Sequence, residues 1–194
     1  WLVAVAVVVV TCACALAVLP CKAYAKSYTM PQVDIQAQLE TDGTLHVVEQ
    51  RTFDFDGSFS AVWWTLNLLP TNAEFTVNGV RMMSVDGSND TEGSMSAMPE
   101  VPFELKWREE GGPGKDSYSV DSPKNTVYVF FGSQPKRVVV ELDYTITNMA
   151  QVYDDVSEVY WQYLGSAWAA PSENVTATLQ LPLPQGVAVD PGEN

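Results

Sequence analysis

The sequence predicts a mostly β fold, an antiparallel β-sandwich of immunoglobulin-like or jelly-roll-like type with one short helix, preceded by an apolar signal segment. Two observations predict the sandwich: apolar and polar residues alternate with a period of two in several short runs, and turn-forming residues separate these runs. Strands that each have one apolar face must bury that face against a second sheet. The 194 residues suffice for one domain of ordinary size and a targeting segment.

The N-terminal segment is unlike the rest of the chain. Residues Trp1 to Leu19 are almost wholly apolar, and Ala23-Tyr24-Ala25 places small residues where a signal peptidase requires them. We therefore expect residues 1–25 to be a partial signal peptide and residues 26–194 to be an extracytoplasmic domain. The alternative is an uncleaved membrane segment, because about 19 apolar residues can span a bilayer.

The first two strands are expected to form a hairpin. Apolar residues from Val33 to Leu39 alternate with polar ones, and a second alternating run extends from Leu45 to Glu49. The turn Asp42-Gly43 stands between them. Because Asp-Gly between two alternating runs is a strong signal for a tight turn, the sequence predicts two paired antiparallel strands here.

Further strands are predicted along the chain. Val138 to Ile146 alternates most regularly, which is typical of a half-buried strand in an antiparallel sheet. The same period returns from Val175 to Leu181. Shorter candidate strands are Phe75–Met83, Phe103–Arg108 and Thr126–Phe131, and stretches rich in glycine, proline and polar residues predict loops over Asp86–Pro102 and Glu109–Ser119.

One segment breaks the period of two. Asp155 and Glu158 have the spacing of a capping box, and Gly165 follows as a stop signal. Four apolar residues between them fall on one helical face: Val156, Val159, Tyr160 and Tyr163. The spacing predicts a short helix within the segment from Asp154 to Gly165. A bulged strand is the alternative, because valine, tyrosine and tryptophan favour strands.

Composition excludes several kinds of chemistry. The net charge of −14, from 10 basic and 24 acidic residues, argues against a nucleic-acid partner, which requires a basic patch. The three cysteines, Cys12, Cys14 and Cys21, all lie within residues 1–25, so cleavage leaves none. His46 is the only histidine and lies on a predicted strand, and no Gly-x-Ser-x-Gly elbow is present. We therefore expect no catalytic residue, no cofactor, no metal site and no enzymatic activity.

Carboxylates near tryptophans leave one alternative open. Asp154, Asp155 and Glu158 precede Trp161 and Trp168, and acids beside aromatic rings occur in sites that bind or cleave carbohydrates. Capping of a helix by the acids and packing of the tryptophans in the core explain the same residues. We favour this structural interpretation, because a pair of acids without geometry does not define a site.

An acidic loop leaves a second alternative. Asp86, Asn89, Asp90 and Glu92 lie together and could offer calcium the oxygen ligands that it prefers. The closing glutamate of an EF-hand is missing, because Ala97 occupies the twelfth place from Asp86. A solvated acidic loop is therefore the favoured interpretation.

The six tryptophans are the other unusual feature. Trp63 and Trp64 are adjacent, so a strand would direct them to opposite faces, one of them exposed or covered by a loop. Trp107, Trp161 and Trp168 are expected in the core. Exposed aromatic residues can mark a partner surface. The candidate interaction surface comprises Trp63, Trp64, Tyr160, Trp161, Trp168, Asp155 and Glu158.

Three passages together resemble a known family. They are the hairpin from Val33 to Glu49, the run from Phe53 to Trp64, and the passage Asp155 to Trp161 with its following Gly165 and Trp168. In this order and spacing, from Gln32 to Pro182, they resemble the extracytoplasmic N-terminal domain of the YciQ-like predicted bacterial membrane proteins, domain of unknown function 2207.

The resemblance implies an architecture and no known chemistry. It implies a signal peptide, an exported β-rich domain, and then transmembrane helices with a soluble tail. No catalytic residue can be carried over. Because this chain has no second apolar run before Asn194, we expect its membrane anchor to lie in a part of the protein beyond this sequence.

The sequence thus predicts a non-catalytic extracytoplasmic domain of an uncharacterised bacterial membrane protein. We expect an interaction or sensing module at the cell surface, with a protein or another component of the cell envelope as its partner. The alternative is a secreted domain that binds or cleaves carbohydrate with the tryptophans and carboxylates named above.

Overall fold

The computed structural model describes residues 26–67, 69–85, 94–133, 135–165 and 168–182. The predicted signal segment, residues 1–25, lies outside these ranges. The described part of the chain forms eleven strands and one short α-helix. In chain order these are β1 (Ser27–Leu39), β2 (Leu45–Asp56), β3 (Ala61–Thr65), β4 (Phe75–Ser84), β5 (Ser96–Ala97), α1 (Trp107–Glu110), β6 (Ser117–Asp121), β7 (Thr126–Phe130), β8 (Arg137–Ile146), β9 (Ala150–Val152), β10 (Ser157–Val159) and β11 (Val175–Gln180).

The strands form two larger sheets and one small one. The first sheet has six strands in the order β11-β1-β2-β8-β4-β5, and the second has three in the order β3-β7-β6. Strands β9 and β10 form a separate two-stranded hairpin. Neighbouring strands are antiparallel, except that β11 runs parallel to β1.

The two larger sheets share one core. Alternate residues of β8, from Val138 to Ile146, are buried, and their apolar side chains join the same cluster as Val62, Trp64 and Val127 of the second sheet. This shared core gives the domain a sandwich-like architecture. The predicted mostly β fold is therefore confirmed, as are the predicted strands that correspond to β1, β2, β4, β7, β8 and β11.

The β1–β2 hairpin forms as its turn signal predicts. Leu39 pairs with Leu45, and the backbone N–H of Thr44 donates to Oδ1 of Asp42 over 2.9 Å. This hydrogen bond holds the pKa of Asp42 below its usual value, because it stabilises the ionised carboxylate. Gly43 has a φ of 83°, which glycine adopts without strain.

The helix predicted within the segment from Asp154 to Gly165 is wrong. Residues Ser157–Val159 form strand β10, which pairs with β9 so that Glu158 lies opposite Gln151. The backbone of this segment therefore pairs with an antiparallel strand. This pairing, together with the strand preference of valine and tyrosine, outweighs the local capping signal.

The one α-helix among the described residues lies elsewhere in the chain. The predicted strand Phe103–Arg108 is wrong. Residues 105–106 form a turn, and α1 begins at Trp107, whose side chain is buried. Gly111 ends α1 in the left-handed conformation, with its N–H bonded to the carbonyl of Trp107 over 3.0 Å. The predicted loop Glu109–Ser119 thus begins at the end of α1 and runs into β6, and the predicted loop Asp86–Pro102 contains β5.

Candidate functional site

A buried ion pair lies on the inner face of β2. Glu49 and Arg51 are only 3% and 1% exposed, and they occupy the inward positions between Val47 and Phe53. Nε of Arg51 donates to Oε1 of Glu49. The same oxygen accepts a second hydrogen bond, over 3.0 Å, from the indole nitrogen of Trp64 on β3.

The segment that precedes β11 covers the guanidinium of Arg51. The ring of Trp168 lies 4.7 Å from its central carbon, in a cation–π arrangement. Nη1 of Arg51 lies 3.5 Å from Oγ of Ser172 and 3.9 Å from the sulfur of Met30. Arg51 therefore joins β1, β2 and the segment 168–172 in one place.

Tyr144 completes this buried group from β8. Burial raises the pKa of its phenol well above the ordinary value, and the negative charge of Glu49 and a hydrogen bond with it act in the same direction. A cavity of about 30 Å³ beside the group, bordered by Trp161 and Trp168, has room for about one water molecule. We call Glu49, Arg51, Trp64, Tyr144 and Trp168 the Glu49–Arg51 cluster. The polar side chains of this cluster bind one another, so the cluster is a structural contact between the two larger sheets.

The β9–β10 hairpin presents exposed apolar side chains. Val152 is 79% exposed and Tyr160 is 73% exposed, and Tyr153 and Val156 at the tip are about half exposed. Asp155 and Glu158 are also exposed on this hairpin. We call these six residues the hairpin surface. One face of the hairpin borders a groove of about 550 Å³, whose other walls are the β1–β2 turn and the residues Leu179, Leu181 and Pro182.

Trp63 lies on the outer face of the three-stranded sheet, away from the shared core. It is 56% exposed, and its ring centroid lies 6.4 Å from that of Tyr128 on β7. Tyr128 stacks on Phe103, and Trp107 of α1 packs edge-on against Phe130. Together with the segment before β3, these rings form a cleft of about 230 Å³, lined by Lys26, Ser58, Phe59, Ser60, Ala61, Trp63, Trp107, Arg108, Gly111, Tyr128 and Phe130. We call it the Trp63 cleft.

The structure divides the predicted interaction surface into three places. Trp64 and Trp168 meet edge-on, with ring centroids 5.3 Å apart, and Trp161 borders the cavity beside them. Trp64 is buried, whereas Trp161 and Trp168 are half-buried against the core. The other members lie on the hairpin surface, namely Tyr160, Asp155 and Glu158, or on the outer face of the second sheet, namely Trp63.

The predicted carbohydrate arrangement is not assembled as one group. Asp155 and Glu158 lie on the exposed hairpin, whereas Trp168 packs on Trp64 and Arg51. Sequence reasoning also missed Glu49, Arg51 and the aromatic floor of the Trp63 cleft. The alternation in β2 could have revealed the burial of Glu49 and Arg51, because both residues occupy inward positions of that strand.

His46 and Asp54 each pair with a side chain of β8 and not with each other. Nε2 of His46 lies 2.8 Å from Oδ1 of Asp143 on the neighbouring strand, and Asp54 pairs with Arg137 over 3.2 Å. The predicted acidic loop, Asp86 to Glu92, lies outside the described residues. Within the described ranges, no three histidine, cysteine or acidic side chains converge on a point that could hold a metal ion.

The family model for the N-terminal domain of a predicted membrane protein, DUF2207, matches residues 29–193. The chain belongs to this family. The family resemblance inferred from the hairpin and the tryptophan passages is thus confirmed, and the protein is a DUF2207 domain of a predicted membrane protein. No helix in the described part of this domain has the length and apolar character of a membrane span.

Comparison with other proteins adds little to the family assignment. No curated protein matches this chain. Among solved structures, it is similar to the crystal structure of a Parabacteroides distasonis protein proposed to be a protease, with 10% sequence identity and a TM-score of 0.37. The match covers 80% of this chain and 29% of the other, so the DUF2207 domain spans less than a third of that protein's length.

Proposed function

We propose that this DUF2207 domain is a non-catalytic interaction module on the extracytoplasmic side of its membrane protein, and that it binds a protein partner through the hairpin surface. The observation that carries the proposal is the concentration of exposed apolar side chains there: Val152, Tyr153, Val156 and Tyr160 are each at least 50% exposed. Several large apolar side chains exposed within one short hairpin are typical of a surface that a partner covers. The signal-like run from Trp1 to Ala25 supports the extracytoplasmic side.

The groove beside the hairpin indicates what the partner presents. Val152 and Val159 line it on the hairpin side, and Leu179 and Leu181 line it on the opposite side. These side chains suit an apolar segment of the partner, because burying apolar area drives most association between proteins.

The acidic residues around the groove indicate which charge the rim of the partner surface carries. Glu40 and Asp42 border the groove, and Asp154, Asp155 and Glu158 are exposed on the hairpin. A partner surface with apolar side chains surrounded by lysine or arginine would complement this arrangement.

The test is site-specific photocrosslinking in cells that produce the full membrane protein. A photoreactive residue at Val152 or Tyr160 should crosslink one protein of defined mass. The same residue at Thr76, which is exposed on the outward face of the large sheet, serves as the matched control. Equal capture from Thr76, or no protein captured from either hairpin position, would contradict the proposal.

Charge reversal tests the electrostatic part separately. Asp155→Lys with Glu158→Lys should reduce the crosslink from Tyr160 severalfold, because like charges would then face each other across the interface. Asp34→Lys, on β1 and outside the β9–β10 hairpin, should leave the crosslink from Tyr160 unchanged. A crosslink that survives reversal would show that the apolar contact alone defines the interface.

A further inference from the structure

We propose that the Trp63 cleft is a second binding site, for an acidic saccharide whose sugar rings carry carboxylate groups. This inference is independent of the hairpin surface and rests on the shape, the aromatic walls and the charge of the cleft. All residues that carry it belong to the described part of the chain.

The aromatic walls fit a ring-shaped ligand. Trp63 leaves more than half of its surface uncovered although a tryptophan buries well, and Tyr128 and Trp107 line the same cleft. A tryptophan face stacks on the apolar face of a flat ring. The volume of about 230 Å³ lies below the range of about 300–1,000 Å³ of pockets for larger ligands, so the cleft suits one ring at a time.

A second hollow shares Phe59, Ala61 and Trp63 with the cleft. It has a volume of about 150 Å³ and is lined mainly by apolar groups, among them Tyr28 and Trp168. Trp63 thus borders two hollows that could each receive one unit of a chain. This arrangement favours an oligomer of linked rings over a single small molecule.

The charge of the cleft selects an anion. Two cationic side chains, Lys26 and Arg108, line it, and no aspartate or glutamate is among its described lining residues. This is unusual in a chain with 24 acidic and 10 basic residues. A cleft lined by one sign of charge raises the local concentration of the opposite ion.

Arg108 is placed to receive a carboxylate. The central carbon of its guanidinium lies 5.9 Å from the ring centroid of Tyr128, so the ring supports the charged group at the floor of the cleft. Guanidinium binds carboxylate with two parallel hydrogen bonds. Ser58 and Ser60 also line the cleft, and their hydroxyl groups can bind the hydroxyls of a sugar.

The test is isothermal titration calorimetry of the purified full chain with trigalacturonate and with its methyl ester. The ester keeps the rings and removes the charges. We expect trigalacturonate to bind about tenfold more tightly than the ester, because a hydrogen bond to a charged group contributes enough for a factor of that size. Equal binding of the two, or no heat from either, would overturn the proposal.

Variants locate the site. Trp63→Ser and Arg108→Gln should each weaken trigalacturonate binding about tenfold. Both residues are exposed, so melting temperatures should confirm that the variants remain folded. Lys124→Gln, at an exposed cation that pairs with Asp121 outside the cleft, should have no effect. Loss of binding in the Lys124 variant, or unchanged binding in the Trp63 variant, would place the saccharide elsewhere and refute the assignment.

Two further measurements separate this proposal from the others. Tyr160→Ser on the hairpin surface should leave trigalacturonate binding unchanged, so either site can fail without the other. A peptide that ends in phenylalanine offers a ring and a carboxylate without a sugar. If that peptide binds the cleft more tightly than trigalacturonate, the ligand is a protein terminus and the saccharide assignment is wrong.

Discussion

Glu49 and Arg51 occupy positions of β2 that would ordinarily hold apolar side chains. Taking two ions out of water costs several kcal/mol for each, and their mutual attraction offsets this cost only with good geometry and further hydrogen bonds. Trp64 donates a hydrogen bond to the carboxylate, and Trp168 covers the guanidinium. The pair therefore contributes more to fixing one arrangement of β2, β3 and the segment before β11 than to net stability.

Removing one member of this pair should be much worse than removing both. Arg51→Met leaves the carboxylate of Glu49 buried without its counter-ion, and we expect the free energy of unfolding to fall by about 3–5 kcal/mol. Adding Glu49→Leu should restore part of this loss, because it removes the unpaired buried charge, although the indole N–H of Trp64 then loses its acceptor. Urea unfolding of the single and double variants measures both effects.

Lys106→Met provides the control for these variants, because Lys106 pairs with Glu104 at the exposed surface, where such pairs contribute little. If Arg51→Met were no more harmful than this control, the buried pair would have no structural role.

Sequence reasoning at the scale of single residues succeeded where alternation was enough. It predicted that Trp63 and Trp64 face opposite ways, and they are 56% and 4% exposed. It failed at Glu49 and Arg51, because a charged residue on a strand is normally assigned to solvent. The inward register of Val47 and Phe53 on either side was the available signal.

Among the elements, α1 and the glycines after it hold the second, smaller core on the outer face of β7. That core consists of Trp107, Tyr128 and Phe130. Gly112 packs directly on Phe130: an added Cβ would lie 2.4 Å from Cδ1 of that ring, and φ is 101°. The chain can approach the ring this closely only because the residue has no side chain.

Gly112→Ala should therefore destabilise the domain by about 2–4 kcal/mol, through overpacking and a strained backbone together. Gly114→Ala is the matched control: its φ is 71°, but an added Cβ would meet nothing within 4 Å. That variant should lose only about 1–2 kcal/mol, from strain. Chemical unfolding followed by tryptophan fluorescence compares them, and equal losses would refute the packing role of Gly112.

The elements also show where local signals mislead. The hairpin around Asp42-Gly43 was predicted correctly, because the turn signal and both alternating strands lie within 17 consecutive residues and predict the same pairing. The capping spacing of Asp155 and Glu158 predicted a helix, yet the strand partner of Glu158 is Gln151, across a tip whose residues carry no standard hairpin signature. The spacing of two acidic residues carries no information about the pairing of β10 with β9, because that pairing depends on the other strand.

At the scale of the whole molecule, the net charge of −14 sets a background repulsion. Added salt should screen it, whereas the buried pair of Glu49 and Arg51 is little affected. We expect the melting temperature to rise by about 2–4 °C between about 0.02 M and about 0.5 M sodium chloride. Potassium chloride should act equally, and a fall in melting temperature with either salt would contradict this expectation.

The overall architecture was predictable and the strand order was not. Alternating runs such as Val138–Ile146 predict half-buried strands, and such strands predict two packed layers. Nothing in the last strand predicts that it lies beside the first one in parallel, because partners distant in sequence are chosen by the packing of the complete chain. The same limit explains why the Trp63 cleft, assembled from four segments that are distant in sequence, was missed.

The parallel pairing of β1 and β11 has a mechanical consequence. Their contact extends from Val33 with Val175 to Gln38 with Gln180, and both strands run the same way. A pull that draws Ser27 and Gln180 apart therefore acts along the strands and loads all the hydrogen bonds between them at once, in shear. Strands that peel apart from one end break their bonds singly and yield at lower force. A domain carried by a membrane protein thus has, at its own edge, a clamp that resists tension between its first and last strands.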